Sequence, residues 1–277
     1  MMRQFLPIYK QIMSKTVVIS GASSGIGFAT ARILQKSGYH VIGLSRSYPK
    51  ETYDFNYILC DITDEVQIKN AVDKILSTNP DIYALINCAG MGISGAIEYT
   101  EAADIKTIFD VNLLGTFQLT KILIPALRKV PNSKIINIGS VAGCLTIPFQ
   151  AYYSITKAGI NAYTEALRME LRPFGIHVGA VLPGDTKTNF TANRQKANMK
   201  MDNVYGNRIQ LSIERMEKDE QNGKSADTVG ITIRRLLSRK TVPVYKTVGF
   251  SYKLFIFLKR LLPSRFVNWI LYQMYAK

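Results

Sequence analysis

The sequence has few cysteines and no long apolar run. Its three cysteines, Cys60, Cys88 and Cys144, are odd in number and lie too far apart for the ligand spacing of a zinc site. We therefore expect no disulfide framework and no metal site, and we interpret these residues as buried, reduced thiols. No stretch approaches the roughly 18 consecutive apolar residues of a membrane-spanning helix, and the N-terminus lacks the features of a signal peptide. These absences predict a cytoplasmic protein.

Acidic residues are absent from the last part of the chain. The final one is Asp227, and the fifty residues after it carry ten Lys or Arg. The formal net charge of the whole chain is +15, so only +5 belongs to everything before that point. Because most of the net positive charge lies in a tail that is also apolar, we expect no nucleic-acid partner. The basic tail needs a different explanation.

Short apolar segments rich in β-branched residues alternate with longer segments of helical period from residue 15 onward. This alternation is typical of βαβ units, in which helices connect parallel strands. The predicted strands are 16–20, 40–44, 57–60, 82–87, 134–138, 177–182 and 242–245, and the predicted helices are 25–37, 64–77, 101–128, 151–173 and 225–239. Because no Pro/Gly/Ser-rich linker interrupts them, the sequence predicts one α/β domain over residues 15–249. Its seven-stranded parallel sheet would be doubly wound, of Rossmann type, with helices on both faces.

Two segments lie outside this domain. Residues 1–14 precede the first strand and are assigned no function. Residues 250–277 mix apolar and aromatic residues with lysine and arginine, and Pro263 divides them into two predicted helices. Helices of this make-up can lie on an anionic membrane surface, which would make the protein peripheral at the membrane. They can equally pack onto the domain or a second subunit and close a pocket.

Glycines are clustered directly after the first predicted strand, at Gly21, Gly25 and Gly27, and a segment of helical period begins at Phe28. Glycine permits positive φ and a close approach of a pyrophosphate, and the helix N-terminus offers free N–H groups. A plain glycine-rich turn is the alternative interpretation. The position at the first strand-to-helix junction of a βαβ unit favours dinucleotide binding.

A tyrosine and a lysine stand four residues apart, so Tyr153 and Lys157 project from one face of a predicted helix. A nearby ammonium stabilises a phenolate and lowers its pKa from the ordinary value of about 10, which would make Tyr153 an acid/base. Such pairs also occur by chance on exposed helices. Ser140 follows the preceding strand and can converge with Tyr153 at the carboxyl edge of a parallel sheet, where such folds bind ligands.

In these motifs the chain resembles the short-chain dehydrogenase/reductase family, and over residues 15–190 the family's markers occur in the right order. They are the glycine loop, Cys60-Asp61-Ile62, Asn87-Cys88-Ala89-Gly90, Asn112, Ser140, Tyr153 with Lys157, and Pro183-Gly184 with Thr188. Ser20 and Cys88 replace the family's usual Thr and Asn. Pro148-Phe149 and the extended C-terminus resemble the steroid and retinol dehydrogenases. The resemblance implies hydride transfer between a nicotinamide nucleotide and a secondary alcohol or ketone.

The resemblance also implies residue roles. Tyr153 would exchange the proton, Ser140 would bind the substrate oxygen, and Lys157 would hold the nicotinamide ribose and tune Tyr153. Asn112 would kink its helix and position a relay water, a role compatible with its being a buried polar residue that satisfies the backbone. The cofactor would contact Gly21, Ser23, Ser24, Gly25, Ile26, Gly27, Asp61, Ile62, Asn87, Ala89, Gly90, Tyr153, Lys157, Pro183, Gly184 and Thr188.

The end of the second predicted strand bears on the choice of nicotinamide nucleotide. An acidic residue there would bind the ribose hydroxyls of NAD, but the sequence is Gly43-Leu44-Ser45-Arg46-Ser47. Arg46 can bind the 2′-phosphate of NADP bidentately, which favours NADP(H) over NAD(H). Alternatively, Arg46 is a solvated loop cation. Ser24 occupies a place where some NADP-dependent relatives have a second basic residue.

The candidate substrate pocket is apolar. Its predicted lining is Met91, Gly92, Leu145 and Phe149, with Ser140 and Tyr153 at the reacting atoms and residues 189–224, including Met199, Met201 and Met216, as a mobile lid. This lining favours a lipophilic carbonyl or alcohol, such as a steroid-like, retinoid-like or long-chain compound. By resemblance the protein would be a homodimer or homotetramer. The alternative function is a dinucleotide-binding regulator without turnover, against which the four intact catalytic residues argue.

Overall fold

The computed structural model describes residues 15–197 and 204–277. The N-terminal segment 1–14 lies outside the described residues, and so do Met199 and Met201 of the predicted lid. All three cysteines are free. Cys60 is buried, whereas Cys88 and Cys144 are only partly buried, so the expectation of buried thiols holds for the first of them alone.

Seven parallel strands form one central sheet. They are β1 Thr16–Ser20, β2 His40–Ser45, β3 Asn56–Leu59, β4 Ile82–Asn87, β5 Lys134–Ile138, β6 His177–Pro183 and β7 Tyr245–Val248. Their order across the sheet is β7-β6-β5-β4-β1-β2-β3. Strands β2 and β3 extend the sheet on one side of β1 and β4 to β7 extend it on the other, so the strand order reverses between β1 and β4. A doubly wound sheet binds its ligands at such a switch point. The predicted fold is confirmed.

Helices cover both faces of the sheet. They are α1 Gly25–Lys36, α2 Glu65–Thr78, α3 Ala102–Phe109, α4 Gly115–Lys129, α5 Ala151–Leu171, α6 Arg208–Gln221, α7 Ala226–Leu237, α8 Phe250–Leu261 and α9 Ser264–Tyr275. Successive residues of β1 point to opposite faces, so Val17 and Ile19 pack with residues of α1 and α7 while Val18 packs with residues of α2 and α4. Strands buried on both faces explain the continuous apolar runs in the sequence.

Two predicted elements differ from the structure. The last strand was expected at 242–245, but its pairing with β6 begins at Tyr245. Pro243 lies in the predicted segment and has no N–H to donate to a ladder. The single helix expected over 101–128 is divided by a π-helical turn, Asp110–Leu114, between α3 and α4.

The helical stretch Ala102–Lys129 is the one segment of residues 15–197 and 204–277 that is long and apolar enough to cross a membrane by length and composition. Its side chains Leu119, Leu123 and Leu127 are fully buried in the core between the sheet and the neighbouring helices. Packing inside the domain therefore accounts for its apolar composition.

Candidate active site

A cleft of about 1360 Å³ opens at the carboxyl edge of the sheet. One wall consists of the segments that directly follow β1 to β6, as expected for a doubly wound fold. The opposite wall comes from residues 189–195, Glu220, α8 and α9. The cleft is therefore built by segments from both ends of the chain.

The glycine loop after β1 is tightly packed. Gly21 has φ +68°, and a Cβ on it would lie 2.7 Å from the backbone of Ala89. A Cβ on Gly27 would lie 2.1 Å from the carbonyl oxygen of Gly21. The spacing of the glycines thus follows from close backbone contacts, which only residues without a side chain permit.

The start of α1 is open toward the cleft. Ser24 occupies the N-cap position but makes no side-chain capping hydrogen bond. Gly25, Ile26 and Gly27, which form the first turn, all line the cleft together with Ser23. Unsatisfied N–H groups and the positive end of the helix dipole suit a phosphate.

The end of β2 contributes cations to the same part of the cleft. Arg46 is exposed and lines it, as does Lys50, which the sequence reasoning missed. Glu51 lies in the same stretch of the lining. No acidic residue occupies the position of Arg46 itself, so the site offers a guanidinium where an NAD site typically offers a carboxylate.

The residue before Arg46, Ser45, belongs to a hydrogen-bonded cluster of hydroxyl groups. The Ser45 hydroxyl is hydrogen-bonded to the Tyr57 hydroxyl, which also interacts with Ser23 and donates to the Ser47 carbonyl oxygen at 3.0 Å. Burial raises the pKa of Tyr57, and its hydrogen bonds with Ser45 and Ser23 act in the opposite direction. Tyr57 itself is not in the cleft lining, but it is hydrogen-bonded to Ser45 and Ser47, which are.

Asp61 and Ile62 line the cleft after β3, and Ala89 and Gly90 line it after β4. One carboxylate oxygen of Asp61 accepts hydrogen bonds from the Thr63 N–H at 2.9 Å and the Thr63 hydroxyl at 2.8 Å. These bonds fix the orientation of the carboxylate.

Asn87 lies behind the cleft wall and not in its lining, so its role in the cofactor channel stays a prediction. Its side-chain N–H group donates to the Thr120 hydroxyl at 3.0 Å and to the Asn137 side-chain oxygen at 2.8 Å. Asn87 is the last residue of β4, and its side chain points into the core, where these hydrogen bonds join β4 to β5 and α4. A strand-end motif alone does not reveal which face each residue takes.

Tyr153 and Ser140 both line the cleft, and their hydroxyl groups are hydrogen-bonded to each other. The Ser140 oxygen also accepts from the Ala142 N–H at 3.0 Å, which fixes it at the start of a short 3₁₀ turn. Burial raises the pKa of Tyr153 to about 12, and the hydrogen bond with Ser140 acts in the opposite direction. At neutral pH the phenol is therefore protonated.

Lys157 lies one turn further along α5 and is buried. Its Nζ is 5.8 Å from the centroid of the Tyr153 ring and donates to the Ile138 carbonyl oxygen at 2.8 Å. Burial lowers the pKa of Lys157 to about 8. The sequence suggested that the ammonium sets the pKa of the phenol, but burial is the largest influence on both groups.

Asn112 sits in the π-helical turn between α3 and α4 and is 1% exposed. Its side chain donates to the Met91 carbonyl and the Thr156 hydroxyl, both at 3.0 Å, and accepts from the Met91 N–H at 2.8 Å. The helix is distorted where the family pattern implied a kink. The side chain itself lies outside the cleft lining and ties the loop after β4 to α5.

Phe149 does not line the cleft, and its assignment to substrate binding stays a prediction. It has φ +58°, rare for a residue with a side chain, and packs with Tyr205 at a centroid distance of 5.9 Å. The turned backbone directs the ring into a small apolar cluster with Ala96 and Ile209. Its neighbour Gln150 lines the cleft instead.

The other predicted pocket residues, Met91, Gly92 and Leu145, are in the lining. Pro183, Gly184 and Thr188 are also in the lining.

Phe190, two residues after Thr188, lines the cleft as well. Its ring lies 5.5 Å from the Tyr153 ring, and a Cβ on Gly92 would lie 2.6 Å from the Phe190 ring. Phe190 therefore covers the tyrosine, a role that the sequence reasoning missed.

The predicted lid contains the amphipathic helix α6, whose Met216, Ile209 and Ile213 are buried. The sequence reasoning expected a mobile polar segment and did not predict a helix here. Apolar residues at helical spacing within 208–221 were the available signal.

The two C-terminal helices, α8 and α9, pack onto the domain and begin and end close to the predicted boundaries. The Tyr252 hydroxyl donates to the Asp185 carboxylate, Lys259 donates to the Cys144 carbonyl, and the Tyr275 hydroxyl donates to Asp219 at 3.4 Å. Apolar side chains of both helices line the cleft, among them Phe255, Leu258, Leu262, Val267, Ile270, Leu271 and Met274. Other apolar side chains lie outside the lining and are exposed, among them Phe250, Phe257, Leu261, Phe266 and Trp269.

A family model for short-chain dehydrogenases matches residues 15–199. The chain belongs to the short-chain dehydrogenase/reductase family. It is 35% identical over 262 residues to the 3-ketodihydrosphingosine reductase of Bacteroides thetaiotaomicron, a match that covers 94% of this chain and 97% of the relative. It is 31% identical to the probable short-chain type dehydrogenase/reductase VdlC of Helicobacter pylori, covering 89% of this chain and 93% of that protein.

Among solved structures, a short-chain dehydrogenase from Streptomyces avermitilis matches with a TM-score of 0.80 and 26% identity, over 95% of this chain and 97% of that one. This member of the family is an NAD(P)-dependent dehydrogenase/reductase. The residues present fit such a cofactor, because the uncapped start of α1 and the Tyr153 region border one continuous cleft.

Proposed function

We propose that this protein is an NADP(H)-dependent oxidoreductase for a lipophilic ketone or secondary alcohol, with Tyr153 as its acid/base. The observation that carries the proposal is the convergence of Tyr153, Ser140 and Lys157 in one cleft that begins at the glycine loop. A reducing reaction needs a proton donor, and a phenol with a pKa of about 12 is protonated at neutral pH. The site is therefore better suited to reducing a ketone.

Each side chain has a role in this proposal. The bound nicotinamide supplies the hydride for reduction. Tyr153 donates its proton to the carbonyl oxygen, and Ser140 donates a hydrogen bond to the same oxygen. Lys157, held by the Ile138 carbonyl, places a positive charge beside the phenol and stabilises the negative charge that develops on it. Asn112 positions these groups indirectly, by joining the loop after β4 to α5.

The test of this chemistry is Tyr153→Phe. Removal of the hydroxyl should lower kcat by about 10²–10⁴-fold, since proton transfer by a positioned group contributes that much. Cofactor binding should stay within about twofold of wild type, because the ring and its contacts remain. Steady-state kinetics measure the change in kcat, and a fluorescence titration with NADPH measures cofactor binding. Undiminished turnover contradicts the mechanism, and a wild-type protein that binds NADPH but reduces no ketone supports the regulatory alternative.

The preference for NADP(H) rests on Arg46, which lines the cleft together with Lys50 and Ser45. Arg46→Glu should reverse the preference, because a carboxylate repels the 2′-phosphate and accepts hydrogen bonds from ribose hydroxyls. The ratio of kcat/KM for NADPH and NADH, measured in both proteins, decides the matter. An unchanged ratio would show that Arg46 is a solvated loop cation.

The substrate proposed is lipophilic and long-chained. The inner sides of α8 and α9 give the cleft an extended apolar wall, and the Bacteroides relative is a reductase of 3-ketodihydrosphingosine, a long-chain ketone. We therefore expect that compound, among lipophilic ketones, to be reduced. Absorbance at the nicotinamide band, followed across a panel of steroid, retinoid and long-chain ketones, tests this directly.

The outer side of the same helices is proposed to contact the membrane surface, so that the protein is cytoplasmic and peripheral at the membrane. Phe250, Phe257, Leu261 and Trp269 are exposed there, on a tail that carries only positive charge. Flotation with vesicles rich in anionic lipid should carry the wild type but not a chain truncated after Gly249. Equal flotation of the two removes the proposal.

Self-association is proposed through the exposed side of the long helices. Leu114, Ile155 and Met169 are exposed on the segments that form α4 and α5. Burial of such a surface between two copies suits a homodimer or homotetramer. Light scattering coupled to gel filtration measures the state, and a monomer at micromolar concentration contradicts it.

A further inference from the structure

Two carboxylates line the cleft near the catalytic tyrosine, and the proposed reaction does not use them. Glu220 comes from the end of α6, and Asp185 from the segment after β6. The Glu220 side chain is 15% exposed, and Asp185 is partly buried. Most acidic side chains lie in open solvent, so two in one cleft require an explanation.

The position of Glu220 relative to the reacting group follows from its neighbours. The Phe190 ring lies 5.5 Å from the Tyr153 ring and 5.8 Å from the guanidinium carbon of Arg194. Arg194 is paired with one carboxylate oxygen of Glu220, and the Thr191 hydroxyl donates to the other at 2.5 Å. A single ring and a guanidinium therefore separate Glu220 from the phenol. Both carboxylates raise the pKa of Tyr153, which is consistent with this proximity.

The charges around the pair do not balance. Arg194 is the cation bound to Glu220, and its side chain is fully shielded from solvent and lies outside the cleft lining. The Tyr252 hydroxyl, a neutral group, binds Asp185. Lys259 of α8 lies on the same wall of the cleft, and its ammonium is bound to the Cys144 carbonyl. Lys157 also lines the cleft, but its ammonium is bound to the Ile138 carbonyl beside Tyr153. Among the groups bound to the two carboxylates themselves, one guanidinium faces two negative charges, which leaves one negative charge in a partly desolvated place.

Uncompensated charge in such a place is unfavourable unless a ligand of opposite charge pairs with it. Burial accordingly raises the pKa of both Asp185 and Glu220, while Arg194 lowers each. The cleft wall beside them is apolar, made by α8 and α9. The arrangement combines a negative charge near the proton donor with an apolar channel.

We propose that Asp185 and Glu220 bind a primary ammonium group that the substrate carries next to its ketone. This rests on the proposed function and narrows its substrate class to a long-chain amino ketone, whose alkyl chain lies against α8 and α9. The ammonium neutralises the excess negative charge. A neutral steroid or retinoid leaves it unpaired, so the carboxylates select against such compounds.

The first test uses the wild-type enzyme and two ketones of equal chain length, one with an amine next to the carbonyl and one with hydrogen in its place. We expect kcat/KM for the amino ketone to be at least about tenfold higher, the effect of one favourable charge pair. This comparison requires no substitution, so it does not depend on how a variant folds.

The second test uses Glu220→Gln and Asp185→Asn, which keep the shape and one acceptor oxygen of each side chain but remove the charge. Each should raise KM for the amino ketone and bring the two kcat/KM values together. Glu214→Gln is the matched control, because Glu214 lies on the same helix and is exposed. A merely structural role for the carboxylates would lower kcat/KM for both ketones alike and would overturn the proposal.

The outcomes separate this inference from the function on which it rests. Equal kcat/KM for the two ketones in the wild type, or a preference for the one without the amine, overturns the ammonium site and leaves ketone reduction intact. Failure to reduce either ketone with NADPH or NADH contradicts the proposed function itself.

Discussion

The two walls of the cleft are built in different ways. The cofactor wall consists of the segments after β1 to β4, where glycines and short polar residues make close backbone contacts, such as that of Gly21 with Ala89. The substrate wall consists of residues 189–195, Glu220, α8 and α9, where helices meet through apolar side chains and buried hydrogen bonds such as that of Tyr252 with Asp185. The cofactor wall depends on the spacing of residues within short segments of the chain. The substrate wall depends on contacts between segments that are distant in the sequence.

This difference has a functional consequence. The pyrophosphate and nicotinamide are common to NAD and NADP, and a wall made of backbone and glycine leaves little room for variation. A substrate differs from one enzyme to another, and side chains on helices can change without disturbing the sheet. Changes in the cofactor wall should therefore affect every reaction of the protein, whereas changes in the substrate wall should affect one class of ketone.

The largest expected effect is a loss of kcat/KM on substituting one residue of α9 but not its neighbour. Ile270 lines the cleft, whereas Trp269 is 56% exposed and lies outside the lining. Ile270→Glu should lower kcat/KM for a long-chain ketone by about 100-fold, because a carboxylate must be desolvated against the alkyl chain. NADPH binding, measured by fluorescence, should not change.

Trp269→Glu is the control for that substitution. It adds the same charge one residue away and should leave kcat/KM unchanged while weakening vesicle binding. Equal loss of kcat/KM in the two variants would mean that α9 does not present one side to the substrate and the other to the surroundings.

A smaller effect is expected at two glycines with positive φ. Gly21 has φ +68° and its Cβ would contact Ala89, whereas Gly38 has φ +85° with open space around it. Gly21→Ala should lower the free energy of unfolding by about 2–4 kcal/mol, from backbone strain and overpacking together. Gly38→Ala should cost about 1 kcal/mol, from strain alone. Urea denaturation measures both, and equal losses would show that the loop is not held by its contact with Ala89.

The smallest effect concerns pH. Tyr153 has a pKa of about 12 and stays protonated as the pH rises to 10, so it should cause no loss of reduction in that range. Lys157 has a pKa of about 8 and loses its charge as the pH rises through that value. We therefore expect kcat/KM for reduction to fall above about pH 8, by about tenfold at pH 9. A profile that is flat from pH 7 to 10 contradicts the role given to Lys157.

The apolar pattern of the sequence predicted strands correctly where burial on both faces of the sheet decides the structure. Residues 16–20, 82–87 and 134–138 are strands as predicted, because strands buried on both faces must be continuously apolar. The last strand was placed three residues early, since Val242 and Pro243 are apolar and extended but the proline cannot join the ladder. Apolar pattern alone does not report hydrogen bonding.

The candidate site shows the same division. Gly21, Arg46, Asp61, Ser140 and Tyr153 lie in the cleft as the motifs implied. Asn87 and Phe149 come from equally clear motifs but lie outside the cleft lining. The Asn87 side chain bonds to Asn137 in the core, and the positive φ of Phe149 turns its ring toward Tyr205. A motif reports the neighbourhood of a residue and not the direction of its side chain.

The amino-acid sequence by itself determined the parallel sheet, the nucleotide loop and the order of the catalytic residues, since these depend on steric and periodic requirements within short segments. Only the tertiary structure decided that α8 and α9 form the wall of the cleft, and that Glu220 and Asp185 lie near Tyr153. The physical reason is that such contacts join residues tens of positions apart, and no local periodicity or spacing encodes which distant surfaces meet.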